Sequence, residues 1–256
     1  MRSGAFVFFD LGGTLVELSG LLSAAARVIE RDLELESMYA RRMAADWAAK
    51  TTLRIPWYQG RRFLPEKLIA ARTLREIFRG EGISTSDELA SRVVRESWRI
   101  FINRAELRHG VTIAQLRRVR NISSSLGIVT DGDSRETRNL LVQLGLARLF
   151  TSVTISEEVR AYKPNRRIYG AALSSLKAEP SQSLFVSESL LDLIGASALG
   201  MATAYIRRAR VPSVEKSRAP HAHTFEVRGV RGLDKILTAF SRTGRFNSIL
   251  NNPQVG

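Results

Sequence analysis

Four places in this chain set a chemically able side chain beside an apolar or proline-bounded stretch. The run Ala5-Phe6-Val7-Phe8-Phe9 stops at Asp10 and continues Leu11-Gly12-Gly13-Thr14, and the run ending Val129-Thr130 is followed by Asp131-Gly132. Lys163 sits in Ala161-Tyr162-Lys163-Pro164, and Val186-Ser187 leads into Glu188, Ser189 and Asp192. Together they offer a carboxylate able to act as a nucleophile, a hydroxyl, an ammonium and an acidic pair. The chain has no cysteine, which removes thiol nucleophiles, disulfide scaffolds, iron–sulfur clusters and cysteine-ligated zinc together. What remains is hydroxyl, carboxylate and amine chemistry.

These groups converge only if the intervening chain folds to bring them together. Ala5 to Phe9 reads as a buried parallel strand bounded by Gly4 and Gly12-Gly13. From Glu17 to Arg108 apolar residues recur three and four apart, predicting helices over Leu21 to Leu33, Ser37 to Lys50, Leu64 to Phe78 and Asp87 to Ile102. Beyond His109, strands and helices alternate. Helices are predicted over Ile113 to Arg120, Ser134 to Leu144, Arg166 to Leu176, Leu190 to Leu199 and Leu233 to Phe240. Strands fall at Leu126 to Thr130, Ser152 to Ile155, Leu184 to Ser187, Ala202 to Ile206 and His223 to Val227. That alternation predicts the α/β class, a doubly wound parallel-sheet, Rossmann-like core with an inserted all-helical domain. Residues 1–16 and 109–240 would form the core, 17–108 the helical cap and 241–256 a mobile tail. In such a sheet ligands gather at the carboxyl ends of the strands, where Asp10, Thr130 and Ser187 lie.

Composition bounds the setting. The chain has 256 residues, 44% of them hydrophobic, enough for a substantial core. No stretch matches a membrane span or a signal peptide, so a cytoplasmic location is expected. The 39 Lys+Arg against 25 Asp+Glu give a net charge of +14, and basic residues crowd between Tyr205 and Arg245. Arginine forks suit phosphate, which admits nucleic acid or a small anionic substrate as a partner, but without a patterned basic helix or interleaved aromatics the charge reads first as an arginine-rich solvated surface. Among smaller signals, His221 and His223 read as the start of a surface strand, and Asp131-Gly132-Asp133 as a turn before a helix. Trp47, Trp57, Tyr58, Phe63 and Trp98 read mostly as core by spacing, with Trp57-Tyr58 also placed to face a substrate from a cap loop.

The segments Phe8-Phe9-Asp10-Leu11-Gly12-Gly13-Thr14-Leu15, Leu126 to Gly132, Tyr162-Lys163-Pro164 and Asp192-Leu193-Ile194-Gly195-Ala196 with Gly200-Met201 resemble, in order, the motifs of the haloacid dehalogenase superfamily of aspartyl-nucleophile hydrolases. The helical insertion resembles the cap of its phosphatase and dehalogenase branches. The resemblance implies that Asp10 forms a covalent intermediate, that Thr130 holds a transferring oxygen, and that Lys163 neutralises charge. It further implies Gly13, Thr14, Asp131, Gly132 and Ser187 as substrate-binding residues, Thr14 by orienting Asp10, and Asp131 and Gly132 through their backbone N–H groups. It implies in the first place a magnesium-dependent phosphatase that acts on a phosphate ester through an aspartyl-phosphate, the ion held by Asp10, the Gly12 carbonyl, Glu188 and Asp192.

Two positions depart from the phosphatase pattern. The second aspartate of that branch, a general acid and base, is replaced by Gly12, a loss that costs about 10²–10⁴-fold in rate. The usual Gly-Asp of the last motif reads Ser187-Glu188. Both departures suit the metal-free 2-haloacid dehalogenases, which Ser187 to Asp192 and Tyr169, six residues after Lys163, also resemble. Against that branch stand Gly12 for its aromatic residue, Ser189 for its asparagine, and the charge of Glu188. A third expectation is a degenerate scaffold that binds nucleic acid.

Overall fold

The computed structural model of the chain describes residues 4–84, 86–207 and 224–250. Six strands form one sheet: β1 (Phe6–Phe9), β2 (Ser125–Thr130), β3 (Ser152–Ile155), β4 (Ser183–Ser187), β5 (Ala202–Ile206) and β6 (Thr224–Val227). Every pairing is parallel and the order is β3-β2-β1-β4-β5-β6. Strands covered by helices on both faces need apolar side chains on both, which is why β1, β4 and β5 read as unbroken runs rather than alternations. The order reverses between β1 and β4. A crevice therefore opens at the carboxyl ends of those two neighbours, beside Asp10 and Glu188.

Four helices follow β1: α1 (Ser19–Leu33), α2 (Ser37–Arg54), α3 (Glu66–Gly80) and α4 (Asp87–Asn103). They bury Ile29, Met43, Trp47, Leu74, Phe78 and Val94 in a hydrophobic cluster of their own. The cap is rooted in the core by Phe101 and Ile102, which join the main cluster under the sheet. Its two linkers pair as a short antiparallel ribbon, Val16 opposite Leu107, with Arg108 N–H donating to the Leu15 carbonyl at 2.9 Å.

The core helices are α5 (Ile113–Ile122), α6 (Ser134–Gln143), α7 (Ser156–Val159), α8 (Arg166–Leu176), α9 (Leu190–Ser197), α10 (Leu233–Thr243) and α11 (Phe246–Leu250). A capping box of Thr112 and Gln115 starts α5, and Asn165 caps α8. The single turn α7 is too short to show a helical period and was not expected. Nor was α11: the expected mobile tail instead begins as a helix whose Phe246 is buried, its ring 4.3 Å from that of Phe240 and 6.2 Å from that of Phe225. One aromatic anchor outweighs a polar surrounding sequence here.

Of the cap aromatics, Trp47 and Phe63 are buried, whereas Trp57 is 78% exposed, contrary to a core assignment. It lies on a short 3-10 turn and its indole N–H donates to the Leu53 carbonyl at 3.2 Å, which holds the ring outward. Residues 208–223 of the basic stretch, His221 and His223 among them, and 251–256 at the end of the tail lie outside the described residues. No helix among the described residues is long and apolar enough to cross a membrane.

Candidate active site at the carboxyl ends of the strands

Asp10 extends the β1 pairing by one step, its N–H donating to the Val186 carbonyl at 3.0 Å, and then the chain turns. The turn is closed by Gly13 N–H to the Val16 carbonyl at 2.8 Å, with Gly13 at φ +77. Leu15 and Val16 both return hydrogen bonds to Leu11. The tight loop brings Thr14 back over Asp10, where its Oγ1 donates to Asp10 Oδ2 at 2.6 Å and accepts from Glu188 N–H at 3.1 Å. Both side chains are buried. Asp10 is held by one oxygen.

The other oxygen faces Lys163. Its Nζ lies 2.5 Å from Asp10 Oδ1 and 2.6 Å from Asp192 Oδ2, all three groups being buried. Asp192 opens α9 and is fixed from three sides. Ser187 Oγ donates to its Oδ2 at 3.3 Å, its N–H reaches the Ser189 cap at 3.4 Å, and its carbonyl accepts from the Tyr169 hydroxyl at 2.9 Å. Tyr169 fits because residue 195 is glycine: a Cβ there would lie 2.7 Å from its ring. Ser189 N–H in turn donates to Ser187 Oγ at 3.0 Å.

Burial alone would push the Lys163 ammonium down, but Asp10, Asp192 and Asp131 outweigh it and hold it well above the usual lysine range. Burial pushes the Asp10 carboxyl up, against the pull of Lys163 and the Thr14 hydroxyl. Lys163 therefore stays cationic, and the Asp10 carboxylate has a fixed partner.

Thr130 ends β2 buried in the same crevice, its Oγ1 donating to the Asp131 carbonyl at 3.0 Å. Asp131 Oδ1 accepts from Lys163 N–H at 2.9 Å, and burial raises its carboxyl to about 7. The backbone pair expected to cradle an oxygen is incomplete. Gly132 N–H is taken by Ser156 Oγ at 3.0 Å, because α7 begins just where that loop passes. Gly13 likewise faces no open space: a Cβ there would meet Glu188 Oε1 at 2.2 Å. The acidic side chain fills the room that the glycine leaves.

Sequence reasoning missed two side chains. Arg108, on the linker returning from the cap, places Nη1 2.8 Å from Glu188 Oε2 and 2.7 Å from the Gly13 carbonyl. Eighty residues separate the pair, so no local pattern announces it. Glu66, the first residue of α3, reaches from the cap to within 3.9 Å of the Cβ position of Gly132. Burial, then Asp133 and Asp131, raise its carboxyl to about 8. Its place in a Pro-Glu helix start was a legible hint that a carboxylate opens a cap helix.

The ligand set expected for magnesium does not fit. Asp10 is bonded on both oxygens, Asp192 is neutralised by Lys163, and Glu188 is turned to Arg108. A small dication requires several oxygen ligands in near-octahedral array, and no group of three or more metal-binding side chains is placed for one among the described residues.

Comparison with known proteins agrees with this arrangement of strands and motifs. Residues 67–206, more than half of the chain, match the haloacid dehalogenase-like hydrolases. The chain belongs to this family. Among characterised relatives of this haloacid dehalogenase-like protein, glyceraldehyde 3-phosphate phosphatase of Methanopyrus kandleri is 33% identical over 116 residues, 45% of the chain and 50% of that protein. (S)-2-haloacid dehalogenase 1 of a Pseudomonas species is 33% identical over 96 residues, 38% of the chain and 42% of that protein. The chain thus spans half or less of the length of these two relatives. The fold is shared more widely. L-2-haloacid dehalogenase from Xanthobacter autotrophicus superposes with a TM-score of 0.70 at 18% identity, covering 91% of this chain and 98% of that one. The hydrolase YfnB from Bacillus subtilis, bound to magnesium, gives 0.72 at 18% identity, covering 92% and 99%.

Proposed function

We propose that this family member is a metal-independent hydrolase of the 2-haloacid dehalogenase type. Asp10 would attack the carbon that bears the halogen beside the substrate carboxylate, forming an ester as halide leaves. Water then adds to the Asp10 carboxyl carbon and the ester bond breaks. That step returns the aspartate, gives a 2-hydroxy acid and releases one proton. Halide departs without a proton, so Gly12 in place of a general acid is no handicap in this chemistry. Lys163 counters the burial that raises the Asp10 carboxyl and adds positive charge where an anionic substrate must approach, and Thr14 fixes the attacking carboxylate. Thr130, at the end of the neighbouring strand, would donate to the substrate by turning its hydroxyl from the Asp131 carbonyl.

The observation that carries this reading is the pairing of every carboxylate expected to bind metal with a side chain of the protein itself. It also answers the charge objection, since Glu188 paired with Arg108 no longer presents a bare negative charge to a carboxylate substrate. Support comes further from Tyr169 and Ser187 on Asp192, and from the dehalogenase relatives. Chloride release from 2-chloropropionate, undiminished by EDTA and abolished in Asp10→Asn, is the expected result. Label from H₂¹⁸O should enter Asp10 in a single turnover.

A second reading, a magnesium-dependent phosphatase working through an aspartyl-phosphate, is favoured by the phosphatase relative. Hydrolysis of an aryl phosphate that requires magnesium, with no halide release from haloacids, would establish it in place of the first. Binding of nucleic acid by the basic stretch belongs to neither reading.

A further inference from the structure

The Arg108–Glu188 pair asks for an explanation that packing does not give. Its two side chains are only 17% and 8% exposed, and burying an ion pair rarely gains stability over apolar residues of the same size. The pair is built into the nucleophile loop. The same Nη1 that meets Glu188 also grips the Gly13 carbonyl, while Glu188 N–H binds Thr14 Oγ1, which binds Asp10. Arg108 is delivered there by the returning cap linker, whose N–H is fixed on the Leu15 carbonyl.

Without a cation at this point, Glu188 would place a bare carboxylate in a poorly solvated crevice, one hydrogen-bonded step from Asp10 through Thr14. A divalent ion could balance that charge. So does a guanidinium, which cannot lose its proton and spans both a carboxylate and a carbonyl with fixed donors. We propose that Arg108 is the resident counter-ion of Glu188, a positioning residue that frees the nucleophile pocket from any need for divalent metal. Removing its guanidinium leaves the Glu188 carboxylate and the neighbouring Gly13 carbonyl, the two oxygens it holds, as ligands for such an ion. The proposal rests on the metal-independent reading, and extends it to the residue responsible.

Mn²⁺ titration followed by electron paramagnetic resonance tests this on the full chain, without recourse to turnover. Wild type should leave the spectrum of the aqueous ion unchanged. Arg108→Gln should bind one Mn²⁺ per chain, read as loss of the aqueous-ion signal up to one equivalent. Arg108→Gln/Glu188→Gln should return to wild-type behaviour, and Arg108→Lys, which keeps the charge, should stay silent. A folded Arg108→Gln that binds no Mn²⁺ would overturn the proposal. So would a wild-type Mn²⁺ site that disappears in Asp10→Asn, a result that decides the matter even if Arg108→Gln fails to fold. Because Mn²⁺ binding is read apart from activity, the expected titration together with absent chloride release would count against the dehalogenase reading alone.

Discussion

Lys163 sets the charge balance of the crevice, since one ammonium serves two buried carboxylates. Replacing it with methionine leaves Asp10 and Asp192 facing each other unneutralised. Haloacid turnover should then fall by about 10²–10³-fold, the scale for losing one preorganised electrostatic partner. Arginine should restore stability better than activity, because its fork cannot occupy the place of a point charge. Kinetics and thermal unfolding on both variants separate the two effects. Asp131 adds a pH dependence. With its carboxyl raised to about 7, it is neutral below that pH and gains a negative charge above it, next to Lys163. An anionic substrate should be opposed by that charge. The value of kcat/KM should therefore decline as pH rises through about 7, and Asp131→Asn should carry the plateau to higher pH; an unchanged profile would count against Asp131 facing the substrate. The positions of Asp10, Thr130, Lys163 and Asp192 were legible because each follows a strand or opens a helix of recognisable pattern. Arg108 was not, since what places it is the pairing of two linkers far apart in sequence.

At the level of elements, hydrophobic period sufficed wherever a segment was long. Helices α1 to α4 and five core helices fell where the threes and fours of their apolar residues put them, within a few residues at the ends. Short segments without a full period, α7 and α11, escaped. The start of α3 carries a consequence for stability. The folded chain holds the Glu66 carboxyl at about 8 against 4.5 for a free glutamate, because burial and the neighbouring Asp133 and Asp131 disfavour its charge. Between those two pH values the unfolded chain releases a proton that the folded chain keeps. Stability is therefore lost as pH rises through that window and changes no further above it. Glu66→Gln removes the loss, so it should raise Tm at pH 8.5 while leaving it unchanged at pH 4.5. A gain of about 2–4 °C corresponds to one kcal/mol in a chain of this size. Equal gains at both pH values would mean that the benefit has nothing to do with ionisation. Helix α9 makes a steric prediction. Gly195→Ala would drive a methyl into Tyr169, costing about 1–3 kcal/mol by overpacking and loosening the hydroxyl that holds Asp192. Thermal unfolding measures the first effect.

For the molecule as a whole, two of the joints between the cap and the sheet differ in character. The linkers form a covalent ribbon beside Arg108. The second joint is a docking contact around Tyr162, the residue before Lys163. Gln59 receives Tyr162 N–H at 3.0 Å, Tyr162 OH donates to the Leu64 carbonyl at 2.8 Å, and its ring stacks on Phe63 with centroids 5.0 Å apart. Lys67 N–H adds a bond to Asp133 Oδ2 at 2.8 Å. Because the cap helices keep a hydrophobic cluster of their own, this contact should open without unfolding the sheet. Tyr162→Phe deletes one hydrogen bond while keeping the stack, a loss of about 0.5–1.5 kcal/mol. Amide exchange across residues 58–67 should accelerate several-fold, by about fivefold for one kcal/mol, while β1, β2 and β4 keep their wild-type protection. If protection falls evenly through cap and sheet, the two form a single cooperative unit. Exchange confined to the cap would mean that Lys163 and its carboxylates stay assembled while the crevice above them opens, which is what a buried nucleophile needs to admit an anion and release its product.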